Sequence, residues 1–157
     1  METRRDETEA ERYDRNWSDL VQELRVAQTG VQVLAGFLLT LPFSSRFTSI
    51  SQGHRTTYLV AFSLAMVTVG VMTAPVALHR FLFGHHEKDV LVHTGDLFAK
   101  CGMAAMGLTL VTVVVLIFGV VVNDTAGIVA GVSVLVFYVL AWVVLPLSLL
   151  RRGTERS

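Results

Sequence analysis

Four stretches of this chain contain no Asp, Glu, Lys or Arg: residues 26–45, 56–79, 101–123 and 125–150. Together they hold 93 of the 157 residues, so the 26 charged side chains crowd into the remaining 64. A helix that folds in water needs a polar face, whereas a helix that crosses a hydrocarbon core of ~30 Å needs about 20 consecutive, mainly apolar residues. Each stretch meets the second requirement and fails the first. A water-soluble globular fold is excluded, and the expected class is an all-α membrane protein with four transmembrane helices in an antiparallel bundle.

The expected spans are about 26–45, 56–79, 98–122 and 126–150, inside a transmembrane domain of residues 16–150. Residues 1–15 form a charged, flexible lead and residues 151–157 a short tail. Neither is long enough for a soluble domain with its own core, which takes at least ~50 residues. The lead up to Arg25 carries eight acids and five arginines. Because the first apolar run follows it and ends in Ser44, Ser45 and Arg46, without a small-residue cleavage pattern, it is expected to stay as an anchor.

Orientation follows from Lys and Arg, which are retained on the cytoplasmic side of bacterial membranes. Eleven lie in the N-terminal lead, the middle connection and the C-terminal tail; only Arg46 and Arg55 lie on the opposite side. Both termini are therefore expected in the cytoplasm. Net charge is zero and no basic run stands out, so nucleic acid is not an expected partner. The single cysteine, Cys101, forms no intramolecular disulfide. No phosphate-binding loop, nucleophile elbow or zinc-protease helix is present, so neither an enzyme nor a cofactor is expected.

Asn16 and Asp19 have the spacing of a helix N-cap and its third residue, placing the start of the first helix just before Trp17. Pro75 and Pro146 fall one turn from the ends of the second and fourth spans, where each removes a backbone donor. Asn123, Asp124 and Thr125 are all that separates the third and fourth spans, which must therefore form a tight hairpin.

Several features stand out against this apolar background. Arg25, Gln28 or Thr29, Gln32, Gly36 and Thr40 recur every three or four residues as a polar line in the first span. Amides facing lipid lose hydrogen bonds worth a few kcal/mol, so the line is expected to face the bundle interior, either fixing helix packing or lining a polar route. A second polar cluster gathers on the cytoplasmic side: His79, Arg80, His93, Asp96 and Lys100. Asp96 precedes Lys100 by four residues, the favourable order for an ion pair within a helix. No metal site is expected; His85, His86 and Glu87 come nearest to one, but they match no ligand spacing. Gly127 and Gly131 form a small-residue face that lets the fourth helix approach a neighbour closely.

The stretch from Glu23 to Leu34, the run Leu39-Thr40-Leu41-Pro42-Phe43 with Arg46-Phe47, and the run from Ala74 to Arg80 carry a resemblance. In these the chain resembles a family of small, uncharacterised bacterial four-helix membrane proteins whose members are often labelled sodium:proton antiporters. The resemblance extends from about Asp19 to the end of the chain. It implies a four-span bundle and ion exchange, with no established functional residues. The four uncharged stretches contain no carboxylate, the group on which coupled cation and proton exchange relies within a membrane.

The leading expectation is a protein of the bacterial cytoplasmic membrane acting through helix contacts, as an accessory, assembly or stabilising subunit or as a homo-oligomer. Its expected partners are the lipid bilayer and either another membrane protein or itself. The alternative is a small cation or proton transporter working as an oligomer; the third is a pH or metal sensor on the cytoplasmic face. A reporter fused after Ser157 should read out cytoplasm and one inserted beside Gly53 the outside. The opposite pattern would reverse the topology.

Overall fold

A computed structural model describes residues 9–82 and 88–154, and among them there is no strand. The helices are α1 (Glu9–Thr40), α2 (Gln52–Leu82), α3 (Lys88–Val121) and α4 (Asp124–Val139), the last continuing through a π-helical turn at Leu140–Val144 into α5 (Leu145–Thr154). Four stretches are long and apolar enough to cross a membrane: Ser18–Phe43, Gln52–Leu78, Thr94–Val121 and Asp124–Leu149. They run for 26 to 28 residues, about 40 Å at ~1.5 Å per residue.

One local expectation changes, at the start of α1. α1 begins at Glu9, so Asn16 lies inside the helix and does not cap it. The charged lead has helical spacing of its own: Glu11 precedes Arg15 by four residues, an order that supports a helix. At the other end, Pro146 does not terminate the helix. Its missing N–H would have bonded the Trp142 carbonyl, and the helix answers by widening just before it. The Leu145 N–H reaches back five residues to the Leu140 carbonyl.

The chain divides into two compact units, Met1–Gly36 with Ala65–Ala105 and Phe37–Leu64 with Met106–Ser157. In the first, Leu24, Val31 and Ala35 of α1 are buried, together with Ala65, Thr68, Met72 and Pro75 of α2. The α2 residues alternate by three and four, the spacing of a seam between helices packed at shallow angles. Gly102 makes room on α3: a Cβ there would lie 2.8 Å from the Met72 Cγ.

In the second unit, Leu38, Tyr58, Ala61, Thr109, Val113 and Leu116 are buried. α4 contributes only Gly127 and Gly131 to this interior. They lie against α3 so closely that a Cβ on Gly127 would sit 2.7 Å from the Val115 carbonyl oxygen and 3.0 Å from the Gly119 nitrogen. A Cβ on Gly131 would collide with the Val115 side chain. The hairpin that brings the two helices together is shorter than expected. Val122 and Asn123 suffice, because the Asn123 side-chain oxygen caps α4 by accepting the Ala126 N–H at 2.9 Å.

The connection from α1 to α2 is two short 3-10 turns, Leu41–Phe43 and Ser45–Ser49. Pro42 starts the first, and its missing N–H leaves the Leu38 carbonyl without its helical donor. The Tyr58 hydroxyl supplies one, at 3.1 Å in the buried interior. Arg55 Nη2 donates to the Thr48 carbonyl at 2.8 Å, and the Phe47 ring meets Tyr58 edge to face with centroids 5.0 Å apart. These contacts fold the connection down onto α2.

The α3–α4 crossing tolerates no added methyl. Gly127→Ala should lower stability by about 1–3 kcal/mol, the scale of overpacking a tight core, because the obstructing atom is backbone and cannot rotate away. Gly70→Ala, where no atom lies within 4 Å of the new Cβ, should be neutral or gain up to ~1 kcal/mol of helix propensity. Thermal unfolding of the two variants in detergent measures the contrast.

Candidate functional site

α1 buries one face and exposes another. Leu24, Val31 and Ala35 point inward in the first unit, whereas Arg25, Thr29, Gln32 and Gly36 are exposed and Gln28 is half-buried. Thr40, in the second unit, is also exposed. The polar line therefore does not face the interior of the chain. Burial follows the larger aliphatic residues one position to the side, since packing density rewards filled volume and offers an isolated amide no partner.

The polar groups of this line differ in what they still need. The Thr29 hydroxyl donates to the Arg25 carbonyl at 2.8 Å and the Thr40 hydroxyl to the Phe37 carbonyl at 2.7 Å, so both are satisfied within their own helix. Gln32 makes no such bond among the described residues, and its amide offers two donors and an acceptor. It sits near the middle of the Ser18–Phe43 stretch. Gly36, one turn on along the same face, has no atom within 4 Å of a would-be Cβ, which leaves the backbone there open to close approach.

The cytoplasmic-side cluster is only partly visible. Asp96 and Lys100 form the ion pair that their spacing predicts, at 2.5 Å, with Lys100 largely exposed. Arg80 is exposed. The side chains of His79 and His93, and residues His85, His86 and Glu87 altogether, lie outside the described residues. Among the described residues no three His, Cys, Asp or Glu side chains converge on a point where they could hold a metal.

One site was not anticipated. In the second unit, Ser51 precedes α2 and its hydroxyl accepts the His54 backbone N–H at 3.2 Å, while the imidazole Nδ1 turns back to the same hydroxyl at 2.9 Å. Ser51 thus caps α2 through its side chain, and the same hydroxyl fixes the imidazole ring. The other ring nitrogen, Nε2, is buried and lies 3.0 Å from Asp124 Oδ1 in the first turn of α4. The Nε2 contact lies within ion-pair distance but outside hydrogen-bond geometry, so it is an electrostatic approach of ring and carboxylate. Gly119 leaves room for the ring, since a Cβ there would be 3.0 Å from Nε2. The three residues border a polar cleft of about 320 Å³ that also reaches Thr57 and Ile128. The available signal was that His54 is the one histidine of five that precedes the second apolar stretch, apart from the cluster of the other four. Its partner lies seventy residues further along.

The geometry predicts a small but specific coupling. Asp124 is 83% exposed at its side chain, so a double-mutant cycle of His54→Gln and Asp124→Asn should give about 0.2–1 kcal/mol, measured by unfolding in detergent. Gly119→Ala should abolish the coupling by displacing the ring. Strict additivity in the parent protein would mean that the pair contributes nothing.

The chain belongs to a family of unknown function, DUF6328, whose model matches residues 6–146. No curated protein and no solved structure matches it.

Proposed function

We propose that this member of a family without an assigned role is a multi-pass protein of the bacterial cytoplasmic membrane, with both termini inside. It works through contacts between helices, as an accessory or stabilising subunit of a larger complex or as a homo-oligomer. Four helices of spanning length and the eleven-to-two distribution of Lys and Arg support the membrane and orientation parts of this reading.

The single observation that carries the rest is the outward placement of Gln32. An unpaired amide in hydrocarbon costs several kcal/mol, and nothing among the described residues relieves it. A helix from another subunit would, because a side-chain amide is both donor and acceptor, and Gly36 on the same face admits a close neighbour. α4 points the same way: only 6% of its apolar window is buried, against 28% for α2. The ion exchange implied by resemblance finds less support, since exchange needs an ionisable group in the membrane and the uncharged stretches hold no carboxylate.

Protein purified in a mild detergent should therefore run as an oligomer or with a stoichiometric partner. Gln32→Leu should weaken that association by about 0.6–1.7 kcal/mol, roughly threefold to twentyfold in Kd. With Cys101→Ser removing the native thiol, Gln32→Cys should cross-link to the associated chain on oxidation or with a short bifunctional reagent. A monodisperse monomer with no companion, unaffected by Gln32→Leu, would overturn the reading.

A further inference from the structure

An apolar cleft of about 190 Å³ lies in the second unit, where the α1–α2 connection folds back toward α3. Leu116 and Val120 of α3 and Tyr58 of α2 border it on one side, and Leu41, Phe47 and Arg46 of the connection on the other. Its polar groups are mostly committed. The Tyr58 hydroxyl is held by the Leu38 carbonyl, and the nearby Ser44 hydroxyl donates to the Leu41 carbonyl at 2.8 Å. The Arg46 guanidinium has no hydrogen bond and no carboxylate among the described residues. Of the other charged groups at this end, Arg55 Nη2 donates to the Thr48 carbonyl and Asp124 lies against His54.

Size and position narrow the occupant. Pockets that enclose a whole small molecule measure roughly 300–1,000 Å³, so this cleft holds only part of a longer apolar one. The connection lies between the Ser18–Phe43 and Gln52–Leu78 stretches, at the level where the apolar run gives way to polar residues. A free guanidinium at that level, beside an apolar slot running along α3, complements an anionic head group joined to a hydrocarbon chain. Guanidinium binds phosphate oxygens in a bidentate fork, which adds geometric specificity to the charge.

We propose that this cleft is a binding site for an anionic phospholipid, with the phosphate on Arg46 and one acyl chain against Leu116 and Val120. The site rests on the membrane insertion proposed above and is independent of the α1 association. It gives the α1–α2 connection a role beyond linking two helices.

Native mass spectrometry of the full chain, equilibrated in detergent with equal phosphatidylglycerol and phosphatidylcholine, tests the site. The parent protein should retain phosphatidylglycerol over phosphatidylcholine by about fivefold, the scale of one cation beside an anionic lipid surface. Arg46→Gln should bring the ratio near one, and Arg46→Lys should keep most of the preference. Val120→Trp, which fills the slot from a partly exposed position, should reduce retention of both lipids; melting curves establish that each variant is folded. Equal retention by the parent protein, or an undiminished preference in Arg46→Gln, would overturn the proposal. So would displacement of the lipid by millimolar inorganic phosphate, which would mark a site for the phosphate alone.

Discussion

Helices built almost wholly from apolar residues cannot distinguish their faces by hydrophobicity, so their packing depends on where side-chain bulk is missing. That constraint governs this chain. α3 meets Met72 where Gly102 leaves a gap, and α4 rests on α3 where Gly127 and Gly131 face Val115 and Gly119. Near the far end of α4, the Trp142 ring stacks with Tyr138 at 4.5 Å and fills the space over Gly107. In each case the close approach supplies dispersion contact between apolar faces.

Proline acts as the complementary device. Each of the three removes a backbone donor inside or beside a helix, and the structure answers differently at two of them. At Pro42 the orphaned Leu38 carbonyl receives the Tyr58 hydroxyl, which also anchors the connection to α2. At Pro146 the helix widens into a π turn, and the chain continues without a break to Thr154. The first answer supplies the missing donor from a side chain, and the second keeps the Leu145 N–H bonded within the helix.

The polar groups sort by whether their own helix can satisfy them. Thr29 and Thr40 fold their hydroxyls onto carbonyls of the preceding turn, which suits either lipid or protein surroundings. Gln32 has no such option, because its longer amide presents donors and an acceptor that one carbonyl cannot match. Arg46 and His54 lie at the ends of the apolar stretches, where charge is affordable, and they differ in having found a partner: His54 has Asp124, and Arg46 has none among the described residues. The two proposals made here follow from those two unmet needs.

That the chain forms four helices long and apolar enough to cross a membrane was legible in the sequence, because apolar length is a local property of the chain. The Asp96–Lys100 pair was legible for the same reason, its partners being one helical turn apart. The start of α1 was misplaced at Asn16 because a capping residue is also tolerated within a helix whose charged neighbours support it. The inward face of α1 was misread, since the polar line was expected to face the bundle interior to spare its amides from lipid. Tertiary packing decided it, burying Leu24, Val31 and Ala35 and leaving Gln32 exposed. It also brought His54 to Asp124 across seventy residues and shaped the cleft beside Arg46, arrangements that depend on which helices meet and that no local pattern records.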